Sequence, residues 1–133
     1  MRIFLDANVV IFFVERPPVW GPLAEARLLA ARAAGDRFAL TDLVRMECLV
    51  GPLQVGDMAG VADFATFCAE PDVDVLPVTP ALCERAALIR ATYNFQAMDS
   101  LHMAAAVEHA CDLILTNDTR WTAFPDVTVE ILN

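Results

Sequence analysis

A chain of 133 residues, 57% of them apolar, is long enough to bury one core and short for two, so a single ordered domain is expected over residues 1–133. The formal net charge is −9 and all nine basic residues are arginine, which excludes a duplex binder that works by contacting many phosphates through lysine and arginine. No apolar run reaches the roughly 20 residues that cross a bilayer, and the N-terminus lacks a signal-peptide pattern, so a cytoplasmic protein with no membrane partner is expected.

In chain order, short strand-like runs alternate with longer helix-like ones, the pattern of an α/β domain on a mostly parallel sheet. "RIFL" is the first strand, closed by Asp6, after which apolar residues continue to Val14 with only Asn8 between them. A carboxylate in such surroundings loses hydration at a cost of several kcal/mol unless something pairs with it, and the sequence offers no obvious structural partner. Apolar spacing predicts a helix from Pro22 to Ala34, stopped at Gly35. "RFAL" is the second strand, and Thr41 or Asp42 caps the helix "LVRMECLV", which Gly51-Pro52 is expected to end. A helix is expected from Asp57 to Ala69, a strand from Val73 to Val78, and a helix opened by Thr79-Pro80. "MDSLHMAAAVEHA" follows as a helix opened by Asp99, then the strand "DLILT", and "VTVEIL" as an edge strand. Cys48, Cys68, Cys83 and Cys111 lack C-x-x-C spacing and are expected to be buried free thiols. Trp20, after Pro17-Pro18, is a candidate for partner binding if exposed.

Four acids occupy equivalent places in this scheme: Asp6 at the end of the first strand, Glu47 in the helix after the second, Asp99 at a helix start and Asp118 beyond "DLILTN". In an open α/β sheet the crevice beyond the carboxyl ends of the strands is where ligands bind. Acids gathered there raise one another's pKa, and a hard divalent cation such as Mg²⁺ or Mn²⁺ relieves the repulsion. Phosphodiester hydrolysis by an activated water suits that arrangement. Taken singly, Asp99 reads equally as a helix cap and Asp118 as a turn residue. His102 shares a helix face with Asp99, where it could bond a carboxylate or substrate, and Arg45 and Arg120 stand near enough in sequence to acids to meet a substrate phosphate. Arg85 and Arg90 read as surface residues, and His109 belongs to no H-E-x-x-H pattern. Dinucleotide binding has no G-x-G-x-x-G to support it, and acid-based phosphotransfer families that need a lysine find none here.

"FLDANVVIFF", "RMECLVGPL", "MDSLHMAAAVEHACDLILTND" and the tryptophan soon after resemble, in order and over nearly the whole chain, the four motifs of the PIN domain, in particular of VapC-type toxin ribonucleases. The resemblance implies a three-layer α/β/α sandwich with a central, mostly parallel five-stranded sheet. It implies Asp6, Glu47, Asp99 and Asp118 as catalytic acids that bind Mg²⁺ or Mn²⁺, with Asn8, Thr116 and Asn117 as supporting polar groups. It further implies RNA as substrate, a homodimer, and a small VapB-like antitoxin as partner. The alternative within the same resemblance is a catalytically silent PIN-like module that binds RNA or protein. Arg120 stands where many relatives carry a further Asp, so one acid of a second metal site is missing, and Trp121 stands where Phe is usual.

Overall fold

The computed structural model describes all 133 residues. Its sheet consists of β1 (Arg2–Leu5), β2 (Arg37–Thr41), β3 (Val73–Leu76), β4 (Leu113–Thr116) and β5 (Thr128–Ile131). Every pairing is parallel, and the spatial order is β3-β2-β1-β4-β5. The helices are α1 (Ala7–Glu15), α2 (Trp20–Ala33), α3 (Asp42–Gln54), α4 (Met58–Cys68), α5 (Pro80–Tyr93) and α6 (Ala97–Glu108), with a 3₁₀ turn at Thr119–Ala123. Chain order runs leftward from β1 through β2 to β3 and then jumps across to β4 and β5. Right-handed crossovers therefore put α1 to α4 on one face and α5 and α6 on the other, in agreement with the helix pairs that pack together. This is the expected three-layer sandwich, with the sheet wholly parallel.

Both faces of the sheet are covered, which explains why the central strands are continuous apolar runs: Ile3, Phe4 and Leu5 of β1 and Ile114 and Leu115 of β4 are fully buried. These residues belong to one apolar core that also takes in Leu28 of α2, Leu82 of α5 and Met103 of α6.

Helix α1 has no counterpart among the sequence-based expectations. "ANVVIFFVE" is rich in β-branched and aromatic residues of modest helix propensity. It is helical because Asp6 caps it and because packing against α2, α3 and the sheet supports it from several sides, burying Val9 and Val10. Helix α3 also departs from expectation: it continues through Gly51-Pro52 to Gln54. Proline restricts its predecessor by colliding with that residue's Cβ, and Gly51 has none, so the helix passes this point at the cost of one missing N–H. Helix α6 starts at Ala97, so Asp99 lies in its first turn and Gln96, with no side-chain bond, holds the cap position. Helix α2 begins at Trp20, two residues early, and that indole stacks on Phe12 with centroids 5.1 Å apart, packing within the chain instead of standing free. Thr79 accepts from the Leu82 N–H at 3.2 Å, as its pairing with Pro80 predicts. Of the four free cysteines Cys48 and Cys111 are buried, Cys68 is half-buried and Cys83 is exposed.

The corner between α1 and α2 fixes how α1 lies on the sheet. Arg16 ends α1 in the left-handed region at φ 56°, and the Gly21 N–H donates to Pro17 O at 2.8 Å. A Cβ on Gly21 would stand 2.7 Å from the Cα and the carbonyl carbon of Arg16, both backbone atoms that cannot swing aside. Gly21→Ala is therefore expected to lower stability by about 1–3 kcal/mol through overpacking, read as a lower urea midpoint with unchanged m-value.

Candidate active site

The connections after β1 and β4 leave in opposite directions, which makes the carboxyl ends of these two neighbouring strands the switch point of the sheet, where open α/β sheets bind ligands. Asp6 and Thr116 face each other there. The Asp6 N–H donates to Leu115 O at 3.1 Å, its Oδ1 accepts from the Ala7 N–H at 2.8 Å, and its Oδ2 accepts from the Thr116 hydroxyl at 2.7 Å. The partner missing from the sequence is thus a helix N-terminus on one side and a threonine on the other. Thr116 Oγ1 in turn accepts from the Asp118 N–H at 3.1 Å, tying the two acids to one hydroxyl. Across the same gap Asn8 Nδ2 donates to Asn117 Oδ1 at 3.1 Å, so the three expected supporting residues all link the α1 start to the end of β4.

Glu47 and Asp99 come from opposite layers. Glu47 lies about one and a half turns into α3, which starts at the carboxyl end of β2. Asp99 lies in the first turn of α6, whose other end leads back to the amino end of β4. His102, one turn after Asp99, is 1% exposed and its Nε2 bonds Glu47 Oε1, joining α6 to α3. Its ring is packed near Phe4 and Trp121, and its Nδ1 has no partner. Burial holds His102 against Glu47. Arg45 pairs with Asp42 at 2.9 Å, and Arg120 pairs with Asp118.

The PIN domain family model matches residues 3–127. The chain belongs to the PIN domain family. Solved structures share this PIN fold at low sequence identity. One is VapBC2 from Rickettsia felis bound to a DNA fragment from its promoter, with 14% identity, TM-score 0.80 and all of both chains covered. A second is DNA-bound VapBC from Salmonella typhimurium, with 17% identity, TM-score 0.79, and 100% of this chain and 99% of the other covered. A third is VapC20 of Mycobacterium tuberculosis, described as a sarcin-ricin loop cleaving toxin, with 19% identity, TM-score 0.68, and 84% of this chain and 86% of the other covered. A comparison with curated proteins finds no match.

In this PIN domain the acids sit in unequal electrostatic surroundings. Burial pushes the Asp6 carboxyl above its ordinary value, opposed by the Thr116 hydrogen bond. Asp99 is raised as well, by burial first and by the neighbouring Asp118 charge second, with no hydrogen bond to offset either. Asp118 is lowered, chiefly by its hydrogen bond to Arg120. Glu47 adds its charge to the repulsion felt by Asp6 and Asp99, so the four acids act on one another even though no three of them form a ready-made ligand group. The donor set nevertheless fits a hard divalent cation: all donors are carboxylate oxygens, Asp99 is without a partner, and each Asp6 oxygen accepts one hydrogen bond and keeps a further lone pair.

These shifts carry a sign for stability. An aspartate whose folded-state pKa is raised binds its proton more tightly folded than unfolded, so its stabilising contribution is lost as pH rises from the ordinary value of 3.8 through the raised one. Asp118 and Asp74, both lowered, act with the opposite sign below 3.8. In EDTA, part of the stability of the wild-type chain is expected to fall away as pH rises above the ordinary aspartate value of 3.8. Asp6→Asn, which keeps the cap, should remove part of that loss and melt higher than wild type at neutral pH, as followed by circular dichroism.

Proposed function

We propose that this PIN domain is a Mg²⁺- or Mn²⁺-dependent endoribonuclease of the VapC type, the toxin of a toxin–antitoxin pair, acting on RNA in the cytoplasm. The observation that carries the reading is the hydrogen-bonded unit Asp6–Thr116–Asp118 at the switch-point crevice, with Glu47 and Asp99 brought to it from opposite faces. VapC20, which shares the fold, supports RNA as substrate, and the VapBC complexes support an antitoxin.

Asp6, Glu47 and Asp99 are the residues that would hold the ion, with Asp118 beside them. A divalent ion held there would polarise a phosphoryl oxygen and lower the pKa of its bound water toward neutrality. The chain supplies positioning: Thr116 fixes the rotamer of Asp6, His102 fixes Glu47, and the Asn8–Asn117 bond closes the lip of the crevice. On the outer face of α3, Met46, Val50 and Leu53 are about half exposed at helical spacing. Such an area supports a homodimer and an antitoxin contact.

A silent binding module is favoured by one observation: Glu47 and Asp118 already hold partners within the chain. RNA cleavage decides between the two. Cleavage is expected with Mg²⁺ or Mn²⁺, and its loss by about 10³-fold or more in EDTA, in Asp6→Asn and in Asp99→Asn, at unchanged fold, corresponds to the several kcal/mol such an ion supplies. Cleavage undiminished by chelation or by either substitution refutes it.

Electrostatics add a second expectation. Of the nine arginines only Arg16 has no hydrogen-bonding or ionic partner for its side chain, so few cations are free to neutralise RNA phosphates. A plot of log affinity against log potassium concentration at fixed Mg²⁺ is expected to report about one to three phosphates neutralised, and six to ten would reveal a basic surface.

A further inference from the structure

Asp118 differs from the other acids in that both its carboxylate oxygens are clamped by a guanidinium. An ionised carboxylate offers about four acceptor sites over its two oxygens. Arg120 brings three N–H groups to them: its backbone N–H donates to Oδ1 at 3.0 Å, Nη2 donates to Oδ2 at 2.6 Å, and the single Nε–H is shared between Oδ1 at 3.0 Å and Oδ2 at 3.2 Å. The two residues are two positions apart in one 3₁₀ turn, for which Asp118 is the cap, so little side-chain freedom is given up to form the pair.

The clamp reaches beyond Asp118. After His102, the Arg120 charge also acts favourably on Asp99, while Asp118 and Glu47 act on Asp99 unfavourably, so the guanidinium offsets part of the charge in the shared acidic space. A positive charge at that place does the electrostatic work that a second divalent ion would do in a two-metal site, where the ions stand about 3.5–4 Å apart between acids. It also repels an ion approaching Asp118 and already engages both oxygens of that carboxylate. Asp6, Glu47 and Asp99 carry no comparable cation: their partners are Thr116, His102 and none.

We propose that Arg120 is a built-in cation of the acidic site, taking the place of a second metal ion at Asp118, so that the chain binds one divalent ion and not two. The inference rests on the metal-dependent reading of the site, and the experiment separates the two. The full-length protein, stripped with EDTA and dialysed, is titrated with Mn²⁺ alone by calorimetry, and the loaded samples are examined by electron paramagnetic resonance for coupling between two bound ions. Wild type is expected to take up one Mn²⁺ per chain with an uncoupled signal. Arg120→Ala, which opens Asp118, is expected to take up two, with coupling. Arg120→Gln, which removes the charge but keeps much of the shape, is expected to follow Arg120→Ala.

Two ions in wild type overturn the one-ion stoichiometry and with it the role assigned to Arg120; one ion in wild type and in both variants overturns the role of Arg120 and leaves the metal-dependent reading standing. No uptake by wild type or variants overturns the metal-dependent reading, and the inference with it. Because Arg120 is 67% exposed on the side chain and buries no core surface, the variants are expected to melt like wild type, so loss of fold does not cloud the stoichiometry.

Discussion

The reversal of winding between the parallel neighbours β1 and β4, whose connections leave in opposite directions, is the constraint on which the rest of the molecule depends. A parallel sheet cannot be wound in both directions without leaving two neighbouring strands whose carboxyl ends face a gap. Here the gap is spanned by two side-chain bonds, the shorter of them from Thr116 to Asp6. The acceptor starts α1 and the donor orients the turn after β4, so the sheet, the first helix and the 3₁₀ turn meet at two side chains. Glu47 and Asp99 reach the same place because α3 and α6 each present their N-terminal turns to that edge from opposite layers.

The charge pattern follows a consistent rule. The protein is strongly acidic, and almost every arginine is committed to an internal partner, such as Arg27 with Glu130, Arg32 with Asp72 and Arg37 with Asp74. Pairs this exposed contribute little stability singly. Their larger consequence is to leave the crevice as a concentration of negative charge with one guanidinium at its rim, a field that favours small cations over extended polyanions.

The strand-and-helix alternation, the buried central strands and the places of the four acids were legible because each rests on local chemistry: apolar runs bounded by turns, threonine caps before helices, acids just past strand ends. Three features were not. The helical state of "ANVVIFFVE" is imposed by packing against the weak preference of its residues, and the passage of α3 through Pro52 depends on the one predecessor without a Cβ. The partnering of Arg120 with Asp118 and of His102 with Glu47 depends on rotamers that no spacing records, although the three-residue step from Asp99 to His102 did mark that histidine as facing the site. Trp20 illustrates the converse, since an aromatic flanked by prolines looks exposed until its stacking partner, eight residues earlier, is placed by the α1–α2 corner.

The hydrogen bonds of Asp6 and the isolation of Asp99 set unequal terms for evolutionary decay. Replacing Asp6 by a residue that cannot accept would strip a helix cap worth about 0.5–2 kcal/mol and leave the buried Thr116 hydroxyl without its acceptor, so selection for a folded chain protects a hydrogen-bond acceptor at that position whatever the chain does. Asp99 holds up nothing and is held by nothing, and its negative charge is a net burden on the folded state. A lineage in which the crevice no longer serves can discard Asp99 first and still inherit an intact scaffold, whose apolar α3 face remains available for other associations.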